Sequence, residues 1–117
     1  MLGHITLYTK RMDEMIMFYS AHFGFTALDR PGDRITELLA PSGARILLHG
    51  AAKSQNEGQV LAKIGFDVPD VAAKRDALLA AGVKVGPLLD GGGYQFANMK
   101  DPSKNSVSIS SRYLIHA

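Results

Sequence analysis

Four short segments of the sequence carry mostly polar or ionisable side chains at every second position, and these side chains could do chemistry. Imidazoles can transfer protons or bind a metal ion, whereas lysine and arginine attract carboxylate and phosphate groups. The sequence has no cysteine, which excludes a thiolate metal site, a cysteine nucleophile and a disulfide. The candidate ligand-binding residues are His4, Tyr8, Arg45, Leu47, His49, Lys63, Asp67 and Ser108.

The alternation predicts four half-buried β-strands, because neighbouring side chains of a strand point to opposite faces of the sheet. In the segment HITLYT, Ile5 and Leu7 would face a core while His4, Thr6 and Tyr8 face outward. The other three segments have the same pattern, with aliphatic or aromatic side chains on the core face. The predicted open face carries His4, Thr6, Tyr8, Arg45, Leu47, His49, Lys63, Gly65, Asp67, Ser106, Ser108, Ser110 and Arg112.

A repeat relates the two halves of the sequence. GHITLYTK resembles AKIGFDVP, and APSGARILLHG resembles DPSKNSVSISS. After the first strand of each half, apolar residues at helical spacing predict a helix. Asp70 is the expected N-cap of the second helix, and Gly24 and Gly82 are the expected stops. The helical stripes are Met12, Met15, Ile16, Tyr19 and Phe23 in the first half, and Val71, Leu78 and Leu79 in the second.

The predicted fold is α+β, with the order β-α-β-β-β occurring twice. FTALDRP and RITELLA supply the middle strands of the first half, and VKVGPLL and YQFANMK those of the second. We expect a single domain over residues 1–117, with module 1 at about 1–50, a linker at 51–59 and module 2 at about 60–117. Two such modules would form a curved, mixed eight-stranded trough with the helices on its outer face and the ligand inside it.

Composition excludes several classes of partner. The net charge is only +2 and the charges are dispersed, so no nucleic-acid partner is expected. No stretch approaches the ~20 apolar residues of a membrane span. The N-terminal residues do not resemble a signal peptide, and we therefore expect a cytoplasmic protein.

The repeat and three motifs resemble the vicinal oxygen chelate superfamily, which includes glyoxalases, bleomycin-resistance proteins and extradiol dioxygenases. The motifs are HITLYT, FYSAHFGF and DPSKNSVSIS, where the family commonly has D-P-x-G-N and this sequence has Lys104 in place of the glycine. The resemblance implies that metal-binding members hold one divalent ion with His or Glu at four equivalent strand positions. Those positions map onto His4, Leu47, Lys63 and Ser108.

Only one of these four residues is a usual metal ligand. Leu47 has no lone pair to donate, Lys63 is a cation and Ser108 is a poor ligand for a divalent ion. His49 and Glu37 could add donors, although the sequence does not determine which way Glu37 faces. We therefore expect a protein without the family's metal and without a cofactor.

The resemblance then implies a binding protein of the bleomycin-resistance type, which is typically a homodimer. The cationic bias of the open face favours an anionic small molecule as its ligand. The alternative is a metal-dependent lyase, isomerase or dioxygenase-type enzyme of the same superfamily. Metal-free acid–base catalysis by His4 or His49, with Lys63 stabilising an oxyanion, and an interaction module without a ligand also stay open.

Overall fold

The computed structural model describes residues 2–58 and 61–116, which form two compact units on either side of residues 59–60. Each unit contains one helix and one mixed four-stranded sheet, which confirms the predicted α+β fold with two β-α-β-β-β modules. The continuous trough remains a prediction. The first unit contains β1 (Ile5–Thr9), α1 (Met12–Phe23), β2 (Thr26–Leu28), β3 (Thr36–Leu39) and β4 (Arg45–Gly50). The second contains β5 (Lys63–Asp67), α2 (Val71–Ala80), β6 (Leu89–Asp90), β7 (Gln95–Lys100), β8 (Ser106–Ser110) and a 3₁₀ turn (Arg112–Leu114).

The two sheets have the same topology. The strand order is β1-β4-β3-β2 in the first and β5-β8-β7-β6 in the second. In each sheet the first and last strands of the module pair in parallel, and the remaining pairs are antiparallel. The parallel strands of each module are connected through the helix and the two middle strands, because a tight turn cannot join a parallel pair. The strands that carry the candidate residues therefore lie side by side within each unit.

Helix α1 begins after Thr9, whose Oγ1 accepts a hydrogen bond from the backbone N–H of Arg11 at 2.8 Å. It ends at Gly24, which adopts the left-handed conformation with φ 72°. The helix buries Met15, Phe18 and Tyr19. The predicted stripe omitted Phe18. Met17 lies off the predicted stripe and is 67% exposed.

Helix α2 begins as predicted, with the Asp70 carboxylate accepting a hydrogen bond from the N–H of Ala73 at 3.0 Å. Val71 and Leu78 are buried, but Leu79 is exposed although the stripe included it. None of the helices in the described part of the chain combines the length and the apolarity that crossing a membrane would require.

Two segments of the second module depart from the predicted strands. Within VKVGPLL, Val85 forms an isolated bridge with Met99, and β6 comprises only Leu89 and the following Asp90. Pro87 interrupts this segment because proline has no N–H to donate to a strand ladder. Arg112 was predicted on the last strand, but β8 ends at Ser110 and Arg112 begins the 3₁₀ turn. Arg112 is therefore not part of the sheet face.

The alternation in β4 and β8 separates core from open face as predicted. Ile46, Leu48, Val107 and Ile109 are buried. The turn before β8 is organised by Asp101, which is itself buried. Its carboxylate accepts hydrogen bonds from the backbone N–H groups of the two residues at positions 103 and 105 and from the side chain of the latter. This turn fixes the start of the strand that carries Ser108.

Candidate functional site

The open face of the first sheet is defined by its register. Thr6, Leu47 and Glu37 lie level with one another on β1, β4 and β3, and therefore share a face. Tyr8 is level with His49 on the same face. The structure brings these side chains onto one surface, with an aliphatic side chain between a hydroxyl and a carboxylate.

Two other candidates lie at the margin of this sheet. Arg45 is the first residue of β4 and is exposed. His4 is also exposed and precedes β1 by one residue. Continuing the parallel register would place His4 beside Arg45 rather than beside Leu47, whose partner on β1 is Thr6.

Tyr8 and His49 form a ring contact on this face. Their ring centroids are 5.2 Å apart and the planes are tilted by 48°. The Nδ1 atom of His49 lies 2.8 Å from the carbonyl oxygen of Gly50. Because a carbonyl oxygen can only accept, Nδ1 carries the proton and Nε2 is the acceptor in the neutral ring. His49 therefore offers one lone pair at a partly exposed position.

The facing of Glu37 could not be predicted from the sequence, and the structure determines it. Its carboxylate is on the open face, with only 13% of the side chain exposed. Arg30 binds it through an N–H···O contact of 3.0 Å. Glu37 is therefore part of an ion pair with Arg30.

The open face of the second sheet has three rows of side chains across β5, β8 and β7. The central strand contributes a serine to every row. A glycine, a lysine and an aspartate occupy the β5 edge of the rows. The rows are Lys63–Ser106–Lys100, Gly65–Ser108–Asn98 and Asp67–Ser110–Phe96.

The two lysines of this face make different contacts. The Lys63 ammonium donates to Oδ1 of Asn98 at 2.9 Å, and the Lys100 ammonium donates to the Ser106 hydroxyl at 2.8 Å. Lys63 therefore reaches diagonally across the sheet towards Asn98. Asp67 is exposed at the end of β5.

Ser108 lies at the centre of the three rows. Its side chain is only 8% exposed and makes no side-chain hydrogen bond to the residues that the structure describes. Its neighbour on β5 is Gly65, where a Cβ atom would lie 3.6 Å from the serine hydroxyl. The hydroxyl is therefore bordered by the open space of a glycine.

Sequence reasoning missed Asn98 and Lys100 as parts of this face. The segment YQFANMK was recognised as a strand, and its alternation already places both residues on one side of it. Only the register with β8 shows which side that is.

The sequence matches a family model, and this match identifies the superfamily. The model is that of the Glyoxalase/Bleomycin resistance protein/Dioxygenase superfamily, and it covers residues 1–109. The chain belongs to this superfamily. No curated protein matches the sequence significantly.

Solved structures show the same fold. An integron cassette protein, HFX_CASS4, from the mobile metagenome of Halifax Harbour Sewage Outfall has 16% identity and a TM-score of 0.77, with 95% of this chain and 97% of that chain covered. TnmS3, an antibiotic binding protein from Streptomyces sp. CB03234, has 20% identity and a TM-score of 0.76, with 93% of each chain covered. The fosfomycin resistance protein FosX from Listeria monocytogenes has 18% identity and a TM-score of 0.77, with 94% and 91% covered.

Of the four residues that the resemblance places at the superfamily's metal positions, only His4 is a usual ligand of a divalent ion. In the first unit, Leu47 has no donor atom, and Glu37, which lies outside these four positions, is bound to Arg30. In the second, Lys63 is a cation and Ser108 offers a neutral hydroxyl. Within residues 2–58 or within residues 61–116, no three His, Asp or Glu side chains come together as a ligand set. Three of these four residues therefore disagree with the metal-binding pattern of the superfamily.

Proposed function

We propose that this protein binds a small anionic molecule on the open faces of its sheets, without the metal ion that many superfamily members use. The observation that carries the proposal is the place of Lys63. It stands at a metal-ligand position of the superfamily, and its ammonium group lies on the open face against Asn98. A fixed positive charge there would repel a divalent ion and attract a carboxylate or phosphate group.

The first sheet supplies a different kind of surface. Leu47 gives it an apolar floor, and the Tyr8–His49 ring pair provides flat surfaces on which an unsaturated part of a ligand could stack. Arg45 and His4 lie at its margin, where they could contribute to binding an anion or a polar group. On the second sheet, the carboxylate of Asp67 would repel a second negative group of the ligand that came close to it.

The names of two structural relatives support this kind of function. TnmS3 is described as an antibiotic binding protein and FosX as a fosfomycin resistance protein. We extend only the general activity, the recognition of a small molecule, to this chain. We also propose that the protein is a cytoplasmic homodimer that does not bind nucleic acid, consistent with its net charge of +2.

The test combines metal analysis with binding measurements on the purified full chain. Inductively coupled plasma mass spectrometry should find zinc, nickel, manganese and iron well below one ion per chain. Amide chemical shifts recorded during titration with benzoate should change in β1, β4, β5 and β8. Near-stoichiometric metal that is required for binding would instead support the metal-dependent enzyme, and unperturbed strands would refute the proposed binding faces.

A charge-matched pair of variants makes this test specific. Lys63→Gln should weaken benzoate binding about tenfold or more, because a hydrogen bond to a charged group contributes about 1.5–3 kcal/mol. Lys84→Gln removes the same charge from an exposed residue that follows α2 and lies outside the strands, so its affinity should remain close to wild type. Equal losses in both variants would show that only the overall charge matters.

A further inference from the structure

We propose that Lys63, Asn98 and Ser108 form an oxyanion-binding cradle on the second sheet, with Gly65 leaving room for the anion. The cradle would receive one carboxylate, phosphonate or phosphate group of the ligand. This inference rests on the proposed function, since it names the group of the ligand that the second sheet recognises.

The contact between Lys63 and Asn98 determines which donor Asn98 presents. An ammonium group can only donate, so the amide oxygen is the atom that lies 2.9 Å from it. The amide nitrogen of Asn98 then retains its two N–H groups, and it has no side-chain partner among residues 2–58 and 61–116. The ammonium itself has three donors and uses one of them in this contact. One hydrogen bond therefore leaves donors on both of its partners.

Ser108 adds a hydroxyl beside these donors. It is the register partner of Asn98 on one side and of Gly65 on the other. Its side chain is nearly buried, yet its hydroxyl makes no hydrogen bond to the residues that the structure describes. A ligand oxygen that accepted a hydrogen bond from this hydroxyl would therefore displace no partner among the described residues.

Gly65 explains why the hydroxyl is accessible to a ligand. At this position a side chain would begin 3.6 Å from the Ser108 oxygen, at ordinary van der Waals contact. The glycine does not adopt a positive φ, so its presence is not required by the backbone. Because Gly65 has no side chain, the space that an anion would occupy stays open.

The surrounding charges also favour an anion. Lys100 lies in the adjacent row and brings a second ammonium to the face. The carboxylate of Asp67 belongs to the row on the other side of Gly65, so the negative charge is separated from the two lysines. Charge-assisted hydrogen bonds to an oxyanion are about twice as strong as neutral ones, which predicts selection of an anion over a neutral ligand of the same shape.

The experiment compares three probes of related shape. Each probe is titrated into the full chain, and the amide chemical shifts monitor its binding. Benzoate and phenylphosphonate carry the oxyanion, and benzamide is the neutral control. We expect both anions to shift the amides of residues 65, 98 and 108 in a saturable way, and benzamide to bind at least tenfold more weakly. The ratio of the two anion affinities determines whether the cradle prefers a planar or a tetrahedral group.

Two variants test the geometry of the cradle. Gly65→Ala should lower the affinity for both anions at least fivefold by covering the Ser108 hydroxyl, while the melting temperature does not fall. Asn98→Asp keeps the size of the side chain but replaces its donor with a negative charge, and it should abolish anion binding. Asn56→Asp makes the same change at an exposed residue in the segment of sequence that follows β4 and precedes β5. This variant should bind the anions like wild type.

The outcomes separate this inference from the proposed function. If anions shift the strands but Gly65→Ala and Asn98→Asp bind them as tightly as wild type, the cradle is refuted and the binding function stands. If benzamide binds as tightly as benzoate, the selection for an oxyanion is refuted. If none of the three probes perturbs either sheet, both proposals fail together.

Discussion

Lys104 should be replaceable by glycine with a gain in stability. It has a φ of 67°, and it is the one non-glycine residue with positive φ among residues 2–58 and 61–116. It occupies the turn before β8, at the position where the superfamily motif commonly has glycine. The left-handed conformation costs a residue with a side chain of order 1–2 kcal/mol, because its Cβ approaches the following carbonyl oxygen. Lys104→Gly would remove this cost.

The net gain is smaller than the strain that is relieved. Glycine loses more backbone entropy on folding than lysine does, which offsets roughly 0.5–1 kcal/mol. We therefore expect the free energy of unfolding to rise by about 0.5–1 kcal/mol and the melting temperature by about 2–5 °C. The backbone N–H of residue 104 donates to the carbonyl oxygen of Asp101 at 2.9 Å, and this hydrogen bond does not need the lysine side chain.

Urea unfolding followed by circular dichroism measures this difference, with Lys104→Ala as the matched control. The alanine variant loses the same charge and the same side chain but retains a Cβ at positive φ. It should therefore be no more stable than wild type. A glycine variant that is no more stable than the alanine variant would contradict the assignment of backbone strain to residue 104.

The remaining predictions concern the turn, the metal position and the imidazole. Asp101→Ala should lower the free energy of unfolding by about 2–4 kcal/mol in urea, because a buried carboxylate that accepts several hydrogen bonds is lost; unchanged stability would contradict its role. Lys63→Glu should raise the affinity for Zn²⁺ or Mn²⁺ in calorimetry by replacing a cation with a ligand, whereas Lys84→Glu should not, and equal uptake by both would exclude a specific site. In ¹⁵N–¹H spectra of the neutral His49 ring, Nδ1 should carry the proton, as its contact with the Gly50 carbonyl requires; a proton on Nε2 would refute that contact.

The order of elements and the facing of the first and last strands of each module could be predicted from the sequence, because apolar alternation and helical periodicity are local signals. Ile46 and Leu48 were expected in the core and are buried there. Phe18 shows the limit of a single helical stripe as a guide, since the predicted stripe omitted it and it is buried.

The candidate site was less predictable, because it depends on which strands are neighbours. Glu37 and Asn98 lie on middle strands whose alternation was readable but whose facing was not. A shift of one residue in register moves every side chain of a strand to the other face. The pairing of these strands with β4 and β8, which the sequence does not specify, was needed to place both residues.

The register also gives a physical reason for a long side chain at position 63. The level partner of Ser108 on β5 is Gly65, whereas Lys63 is level with Ser106. The residues at positions 63 and 108 are therefore diagonal neighbours, and a short side chain at 63 would not reach the centre of the face. Lys63 has the length to cross this diagonal, as its contact with Asn98 shows. On the proposed function, Lys63 thus supplies through a flexible side chain the positive charge that a bound metal ion supplies in other members of the superfamily, and glycine at position 65 keeps the space beneath it open for the ligand.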